Sequence, residues 1–346
     1  MKYTTLPNTN IKVSKICLGT MTWGNQNTQD EGFAQMDYAL DQGVNFFDTA
    51  EMYAVPASPE TYGSTETIIG NWFAKTGNRD RVILASKIAG NGDYTAHIRT
   101  NGFGLEAIKE AVNNSLKRLQ TDYIDLYQLH WPDRSTNYFG QRGFKHDSSD
   151  HWKDNIHQVL ETFRDLIREG KIKHVGISNE TPWGTMRFLE ESKVHTTLPR
   201  TITIQNPYSL LNRLFEVGMA EISLREQIGL LAYSPLGFGA LSGKYLGNRL
   251  PEGSRLSLFP QYNRYHGDTA VEATKMYYDL AQANGLTLTQ MALAFVNTRP
   301  FVTSTIIGAT TMGQLEENIG SIAVDLSEDV VEKIEAIHNL IPNPAP

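Results

Sequence analysis

The sequence predicts a single α/β domain, a closed barrel of eight parallel strands surrounded by helices, over residues 1–346. Two observations carry this prediction: short β-branched runs alternate with longer amphipathic stretches along the whole chain, and no Ser/Gly/Pro-rich linker divides it. Runs that are apolar through their middles are typical of strands buried on both faces, as in a parallel sheet covered by helices. Eight such strand–helix units favour closure into a (β/α)8 (TIM) barrel over an open doubly wound sheet.

Each predicted element follows from its local pattern. Runs rich in Val, Ile, Thr, Tyr and Phe predict strands over 15–20, 45–50, 82–87, 123–130, 172–179, 201–206, 228–235 and 303–308. Apolar residues at helical spacing predict helices over 30–42, 64–75, 105–119, 152–168, 182–193, 215–227, 269–284, 313–320 and 328–338. The opening segment reads as a β-hairpin, Tyr3–Thr5 and 11–13 around a turn at 7–10. We expect this hairpin to plug one end of the barrel.

Composition excludes several classes of function. The net charge is −7, from 31 Lys and Arg against 38 Asp and Glu, without a long basic run, which argues against nucleic acid or anionic lipid as the main partner. A single cysteine, Cys17, allows no internal disulfide and fits a reducing compartment. Neither a signal core at the start nor a long apolar run predicts membrane insertion. We therefore expect a cytoplasmic protein, and the absence of a heptad run leaves its oligomeric state open.

Four connections are too long to be simple turns: 54–63, 90–104, 131–151 and 242–268. All four follow the carboxyl ends of predicted strands, the face on which barrel enzymes build their sites. Loops of this length are usually functional or disordered. We therefore expect the functional site at this face.

Polar residues end three successive predicted strands. Asp48 closes the second strand, with Tyr53 five residues later, Lys87 ends the third and His130 ends the fourth. Ordinary ion pairing at strand ends would explain any one of them alone. Together they predict a proton-transfer site, in which a lysine beneath a tyrosine hydroxyl lowers its pKa from about 10. The aspartate would hold the ammonium group, the histidine would bond the substrate oxygen or the phenol, and neither a metal nor a serine or thiol nucleophile is needed.

Two later segments favour phosphate binding. The seventh strand leads into a glycine-rich stretch with Lys244, where backbone N–H groups can approach a phosphate, although a tight turn at the barrel corner would also explain the glycines. The eighth strand leads into Gly308 and a helix start, which directs its N–H groups at an anion. Barrels commonly bind phosphate at these two positions.

These motifs, in this order, resemble the aldo-keto reductase superfamily over essentially the full length of the chain, near the branch that contains potassium-channel β subunits. The matching segments are 43–53 (Gly-Val-Asn-Phe-Phe-Asp-Thr-Ala-Glu-Met-Tyr), Ser86-Lys87, 127–132, 176–179, 233–245 and 308–318. The resemblance implies a barrel that binds NADPH and reduces aldehydes or ketones. It also implies that Tyr53 is the general acid and that Lys87, Asp48 and His130 complete a catalytic tetrad with it.

The resemblance further implies a set of cofactor contacts. The nicotinamide would be held by Ser178, Asn179, Gln205 and Tyr233, the pyrophosphate by Ser234, Leu236, Gly237, Gly239 and Lys244, and the adenosine end by Gly308, Thr310, Gln314, Glu317 and Asn318. Arg255 matches an arginine that meets the 2′-phosphate of NADP. A cation near the ribose favours this phosphate, whereas an acid such as Glu317 favours NAD.

The segment 54–63 is longer than is common in the family, which leaves the substrate range open. Trp23 and Trp131 are candidates for lining a pocket for a flat or apolar carbonyl substrate, or they simply pack the barrel mouth. His146, Asp150, His151 and His157 fit no standard metal-ligand spacing, so no metal site is predicted. Two other functions stay open: a nicotinamide-binding sensor or regulatory subunit with weak catalysis, and a barrel isomerase or aldolase that needs no nicotinamide.

Overall fold

Eight of the ten strands form the predicted closed parallel barrel. The structure, a computed structural model, describes residues 1–346. The strands are β1 (Tyr3–Thr5), β2 (Lys12–Ser14), β3 (Ile16–Gly19), β4 (Phe46–Asp48), β5 (Ile83–Ile88), β6 (Ile124–Leu129), β7 (Ile172–Ser178), β8 (Thr201–Pro207), β9 (Gly229–Tyr233) and β10 (Val302–Ile307). The barrel strands pair in the order β10-β3-β4-β5-β6-β7-β8-β9, and the (β/α)8 prediction is therefore confirmed. Most predicted strands run slightly longer than the observed ones, because residues that leave the ladder at the barrel ends keep strand-like composition.

The amino-terminal hairpin closes one end of the barrel, as predicted. β1 pairs antiparallel with β2, and Leu6 and Val13 are fully buried. They pack in one apolar cluster with Cys17, Phe46, Ala85, Leu126, Ile202, Leu231 and Ile306, contributed by seven different barrel strands. Inward-facing residues on many strands can meet only inside the barrel. The hairpin thus seals the interior at the end opposite the long loops.

Helices cover the outside of the barrel and bury a second, larger core of 67 residues between helices and strands. They are α1 (Gln29–Asp41), α2 (Ser64–Thr76), α3 (Leu105–Leu119), α4 (Ile156–Arg168), α5 (Pro182–Val194), α6 (Phe215–Arg225), α7 (Arg255–Leu258), α8 (Asp268–Ala283), α9 (Leu288–Thr298), α10 (Met312–Gly320) and α11 (Glu328–Leu340). None of these helices is both long and apolar enough to cross a bilayer.

The sequence analysis missed the helix α9. Its N-cap, Thr287, and Gln290 form a reciprocal capping box, which is a clear start signal. Nine of its eleven residues are buried, however, so it shows no polar face and no amphipathic period. A helix packed on nearly all sides cannot be recognised from the alternation of apolar and polar residues.

Candidate active site

The polar residues of the candidate site lie at the carboxyl end of the barrel and face its interior, because alternate residues of a strand share a face. Asp48, Lys87 and Gln128 each lie two positions beyond an inward-facing apolar residue, namely Phe46, Ala85 and Leu126. Alternate residues of a strand point to the same face. The polar side chains therefore form a layer directly above the apolar filling of the barrel.

A buried ion pair forms the floor of this layer. The Nζ of Lys87 donates to Oδ2 of Asp48 at 2.7 Å and to the carbonyl oxygen of Thr49 at 2.7 Å, and both charged side chains are at most 3% exposed. The other carboxylate oxygen, Oδ1, accepts from Nε2 of Gln205 at 2.8 Å. A buried charge must be paired and hydrogen-bonded to be tolerated, and both conditions are met here.

Tyr53 packs over this pair and beside His130. Its ring centroid lies 5.0 Å from the Nζ of Lys87 and 5.7 Å from the centroid of the His130 ring, which it meets edge-on. Burial raises the pKa of Tyr53 above its ordinary value, and the Lys87 ammonium offsets this only in part. The predicted lowering of this pKa is therefore wrong for the protein alone, because desolvation of the phenolate outweighs the nearby cation.

The surroundings of Lys87 and His130 determine their charge states at neutral pH. Burial alone would lower the pKa of the Lys87 ammonium, but the charges of Asp48 and Tyr53 outweigh it, so that this pKa lies above its ordinary value. Burial, with help from Lys87, lowers the pKa of His130 well below its ordinary value. At neutral pH the site therefore contains an ammonium and a neutral imidazole. The Nδ1 of His130 is buried and has no hydrogen-bond partner in the protein.

The residues predicted to hold the nicotinamide form one hydrogen-bonded wall next to His130. Asn179 donates through Nδ2 to the carbonyl of His130 at 2.9 Å and accepts through Oδ1 from the hydroxyl of Tyr233 at 2.6 Å. Ser178 donates to the carbonyl of Gln205 at 2.8 Å. Asn179 has a left-handed backbone with a φ of 53°, which asparagine tolerates better than most residues. The strand ends of β7, β8 and β9 thus bring all four predicted residues together.

The segment after β9 has the backbone of an anion cradle. Positive φ angles occur at Ser234, Gly237, Phe238 and Gly239, and two of these four residues are not glycine. Such left-handed residues are uncommon outside glycine and cluster at functional sites. A Cβ at Gly239 would lie 2.9 Å from Cε of Lys244, so this glycine leaves room for the lysine chain. The carbonyl of Leu236 accepts from the N–H of Gly239 at 2.9 Å and so closes the turn.

Three cations surround this turn, and their charged ends face aromatic rings rather than carboxylates. The Nζ of Lys244 lies 5.2 Å from the Tyr245 ring centroid, and the Cζ atoms of Arg255 and Arg264 lie 4.9 Å and 5.8 Å from that of Phe238. One nitrogen of Arg264, Nη1, is buried without a hydrogen-bond partner. Cations with no acidic partner beside such a turn suit an anionic ligand. The sequence analysis did not identify Arg264 as a candidate residue. Its only signal in the sequence is its position in the long loop after β9.

The predicted adenosine-end residues gather at the start of α10. The Oε1 of Gln314 accepts from the N–H of Thr310 at 2.9 Å, and Nδ2 of Asn318 donates to the carbonyl of Gly308 at 3.1 Å. Glu317 instead points to α9, where its Oε1 accepts from the hydroxyl of Thr287 at 2.6 Å. A Cβ added at Gly308 would meet no atom within 4 Å, so the surface beside it is open.

Of the two predicted pocket tryptophans, only Trp131 lies against Tyr53 and His130. It belongs to a buried cluster with Ala50, Met52, Tyr53 and Ala89, and its ring centroid is 4.9 Å from that of His130. Trp23 is fully buried in the outer core, and its Nε1 donates to Gln35 of α1 at 3.2 Å. The placement of Trp23 in the pocket is therefore wrong. Met21, two residues earlier, packs against the Tyr53 cluster in its place.

The long loops meet above the site. Tyr94, from the loop 90–104, and Phe139, from the loop 131–151, place their ring centroids 5.4 Å and 5.7 Å from that of Trp131. Ile98 and Tyr138 from the same two loops pack against the Tyr53 cluster. These four side chains were not identified from the sequence, because the loops that carry them have no regular period.

Two further contacts fix these loops. Arg99 of the loop 90–104 pairs with the fully buried Glu51, which also accepts through Oε1 from the N–H of Ala89 at 2.6 Å. Arg142 of the loop 131–151 donates to the carbonyl of Pro344 in the carboxyl-terminal tail at 3.1 Å. Glu51 lies between Asp48 and Tyr53 in the sequence, so the first contact joins the segment 48–53 to the loop that covers it.

Comparisons with known proteins agree with this geometry. Residues 15–339 match the model of the aldo/keto reductase family. The chain is 49% identical to protein tas of Escherichia coli over 359 aligned positions that cover 100% of both chains. It is 33% identical to an uncharacterized oxidoreductase, YrpG, of Bacillus subtilis, covering 99% of this chain and 97% of the relative. It is also 30% identical to a putative voltage-gated potassium channel subunit beta of Schizosaccharomyces pombe, covering 95% and 92%.

Proposed function

The chain belongs to the aldo/keto reductase family, and from that premise we propose that it is an NADPH-dependent oxidoreductase that reduces aldehydes or ketones to alcohols. The observation that carries the proposal is the buried Asp48–Lys87 pair against Tyr53, beside a neutral His130, at the carboxyl end of the barrel. A sensor that only binds a nucleotide has no need of a lysine against a tyrosine. We place the enzyme in the cytoplasm, where its one cysteine, the buried free thiol of Cys17, is expected.

The residues present fit a nicotinamide dinucleotide. Ser178, Asn179 and Gln205 would hold the carboxamide, and the Tyr233 ring would lie against the nicotinamide. The cradle 234–239 with Lys244 would hold the pyrophosphate, while Gly308, Thr310, Gln314 and Asn318 would form the adenosine end, with Glu317 alongside but hydrogen-bonded to Thr287, the N-cap of α9. Arg255 would meet the 2′-phosphate, and the partnerless buried nitrogen of Arg264 supports a further phosphate contact. The bound cofactor would supply a hydride to the carbonyl carbon of the substrate.

The side chains of this site would handle the proton. Its raised pKa keeps Tyr53 protonated at neutral pH, so the phenol can donate to the carbonyl oxygen as negative charge develops there. Lys87 works against the raised pKa and brings the acidity of the phenol closer to that of the developing alkoxide, an effect of roughly 10²–10⁴ in rate. The free Nδ1 of His130 gives the imidazole a hydrogen-bonding position that the protein leaves open. Trp131 and the loop aromatics would keep water from the reacting atoms.

Nucleotide binding tests the cofactor part of the proposal. Quenching of tryptophan fluorescence by NADPH and NADH would be measured for the wild type, Arg255→Ala and the exposed, matched control Arg225→Ala. We expect tighter binding of NADPH than of NADH, and loss of this preference only in Arg255→Ala. Properly folded protein that binds neither nucleotide would refute the proposal and leave an isomerase or aldolase.

Turnover tests the catalytic part. Tyr53→Phe removes only the hydroxyl group, so we expect turnover of aldehydes and ketones to fall at least ~10²-fold while NADPH affinity stays nearly unchanged. Unchanged turnover would remove Tyr53 from its role.

A second candidate function rests on the resemblance to the channel subunit named above: a nicotinamide-binding sensor or regulatory subunit with weak catalysis. It predicts tight NADPH binding, turnover near zero on a broad panel of carbonyl compounds, and a stable complex with another protein. Substantial turnover that depends on Tyr53 would exclude it.

A further inference from the structure

Two histidines and a glutamate converge on the outside of the barrel, away from the candidate active site. His157 lies in the first turn of α4, Glu191 in the last turn of α5, and His195 directly after it. The Oε1 atom of Glu191 is 2.7 Å from Nδ1 of His157 and 3.3 Å from Nε2 of His195. One ligand atom from each of the three residues lies within 4.8 Å of the other two.

This spacing is close to that of a metal site. Zinc binds nitrogen and carboxylate oxygen at about 2.0–2.2 Å in a tetrahedral arrangement, which places ligand atoms roughly 3.4 Å apart. The two distances from Oε1 of Glu191, 2.7 Å and 3.3 Å, lie somewhat below this value, and the third separation is no more than 4.8 Å. The side chains of His157 and His195 are 39% and 48% exposed, so small rotations that equalise the distances meet little resistance.

The carboxylate of Glu191 is held from its other side. Nη2 of Arg187 lies 3.2 Å from Oε2 of Glu191 and also contacts Asp154 at 2.9 Å. The arginine therefore occupies one oxygen and leaves Oε1 directed at the two imidazoles. Outer contacts of this kind orient the ligands of metal sites.

The sequence analysis predicted no metal, because it considered the loop residues His146, Asp150, His151 and His157 by their spacing. Only His157 belongs to the present cluster. Its partners lie 34 and 38 positions later, in the last turn and at the C-cap of a neighbouring helix, where the i, i+4 spacing puts Glu191 and His195 on one face. Such a set appears only once the two helices are packed together.

We propose that His157, Glu191 and His195 form a binding site for a divalent transition metal of the zinc class, with water as the fourth ligand. Two imidazoles and one carboxylate suit zinc, nickel or copper, whereas magnesium and calcium prefer sites made of oxygen alone. The metal links the start of α4, which follows the long loop 131–151, to the end of α5. It therefore fixes one end of the loop that covers Trp131.

Calorimetric titration of the untagged full chain with zinc chloride tests the site. We expect one saturable equivalent of zinc in the wild type, and affinity reduced at least ~100-fold in His157→Ala, His195→Ala and Glu191→Gln, since even outer contacts are worth roughly 10–100-fold. Arg187→Gln should lose about 10-fold. His146→Ala, which removes an exposed loop histidine, is the matched control and should bind as the wild type.

Hydrogen exchange locates the metal independently of affinity. Zinc should slow exchange in both the first turn of α4 and the last turn of α5 in the wild type and in His146→Ala, but not in His157→Ala. Absence of a saturable equivalent in the wild type, or wild-type affinity in the three ligand variants, would overturn the proposal and leave an ordinary ion-pair cluster. Melting curves without zinc show whether each variant is folded. Tyr53→Phe should bind zinc normally, which separates this site from the proposed reaction.

Discussion

Replacement of Lys87 by methionine separates the structural and the chemical roles of the buried ion pair. The substitution keeps the length and apolar stem of the side chain but removes the ammonium that bonds Asp48 and Thr49. Asp48 then keeps only amide contacts, from Gln205 at 2.8 Å and Gln128 at 3.4 Å. A buried carboxylate left without its cation costs about 3–5 kcal/mol of unfolding free energy.

This cost translates into a measurable melting shift. An unfolding entropy of about 2.1 cal/mol/K per residue gives roughly 0.7 kcal/mol/K for a chain of 346 residues. Lys87→Met should therefore melt about 4–7 °C below the wild type. The exposed helix lysine in Lys117→Met is the matched control and should shift the melting temperature by less than about 1 °C.

The double variant Asp48→Asn/Lys87→Met decides between the two roles. Neutralising the carboxylate removes the unpaired charge, so most of the lost stability should return, whereas turnover should stay at least ~10²-fold below the wild type because Tyr53 still lacks its cation. Calorimetry and a steady-state reductase assay on the same samples measure both quantities. Recovery of activity together with stability would show that Lys87 acts only through the fold, and would refute the proton-transfer argument.

Three further perturbations test other parts of the site. Because burial lowers the pKa of His130, this residue binds fewer protons in the folded chain than in the unfolded chain below about pH 6.5. The unfolding free energy therefore falls as the pH drops from there toward the folded pKa, by at most about 1.4 kcal/mol per pH unit. Urea unfolding of His130→Asn should lack this pH-dependent loss of stability, and equal pH slopes in the variant and the wild type would contradict the argument. Gly239→Ala should weaken NADPH binding in fluorescence titrations, because the added Cβ pushes Lys244 aside. Gly247→Ala is the control: this glycine also has a positive φ, but its Cβ would meet no atom within 4 Å, so NADPH should bind normally. Equal losses of affinity in the two variants would point to backbone strain instead. Arg99→Met should lower the unfolding free energy by about 3–5 kcal/mol and expose the loop 90–104 to proteolysis, because Glu51 loses its cation. The double variant Glu51→Gln/Arg99→Met should regain most of this stability. A loop that stays uncut in Arg99→Met would show that other contacts hold it.

The barrel and the convergence of the polar strand-end residues were predictable because both depend on strands. Asp48, Lys87 and His130 end consecutive strands, and the two-residue period with parallel pairing is enough to bring them to one rim. The pKa of Tyr53 was not predictable in the same way. Its direction depends on how much burial accompanies the nearby cation, and burial is a property of the packed structure.

Residues outside the strands were predicted less well, for identifiable reasons. Trp23 and Met21 lie two positions apart in an irregular segment, so no period indicates which of them faces Tyr53. Arg264 and Tyr138 come from loops whose path is set by contacts with other loops. The His157 cluster requires the relative register of two helices.

The strand-end residues and the loop residues also differ in what they contribute to the site. Asp48, Lys87 and Gln205 lie on strands that pair with neighbours on both sides, so the barrel sets their relative positions. The cover is held by contacts between loops, such as Tyr94 with Trp131 and Arg142 with the carboxyl-terminal tail. Under the proposed function, changes in the loops can therefore alter which carbonyl compound enters without disturbing the ion pair beneath Tyr53. It follows that loop substitutions should act mainly on KM and on substrate choice, whereas substitutions at the strand ends should act on turnover.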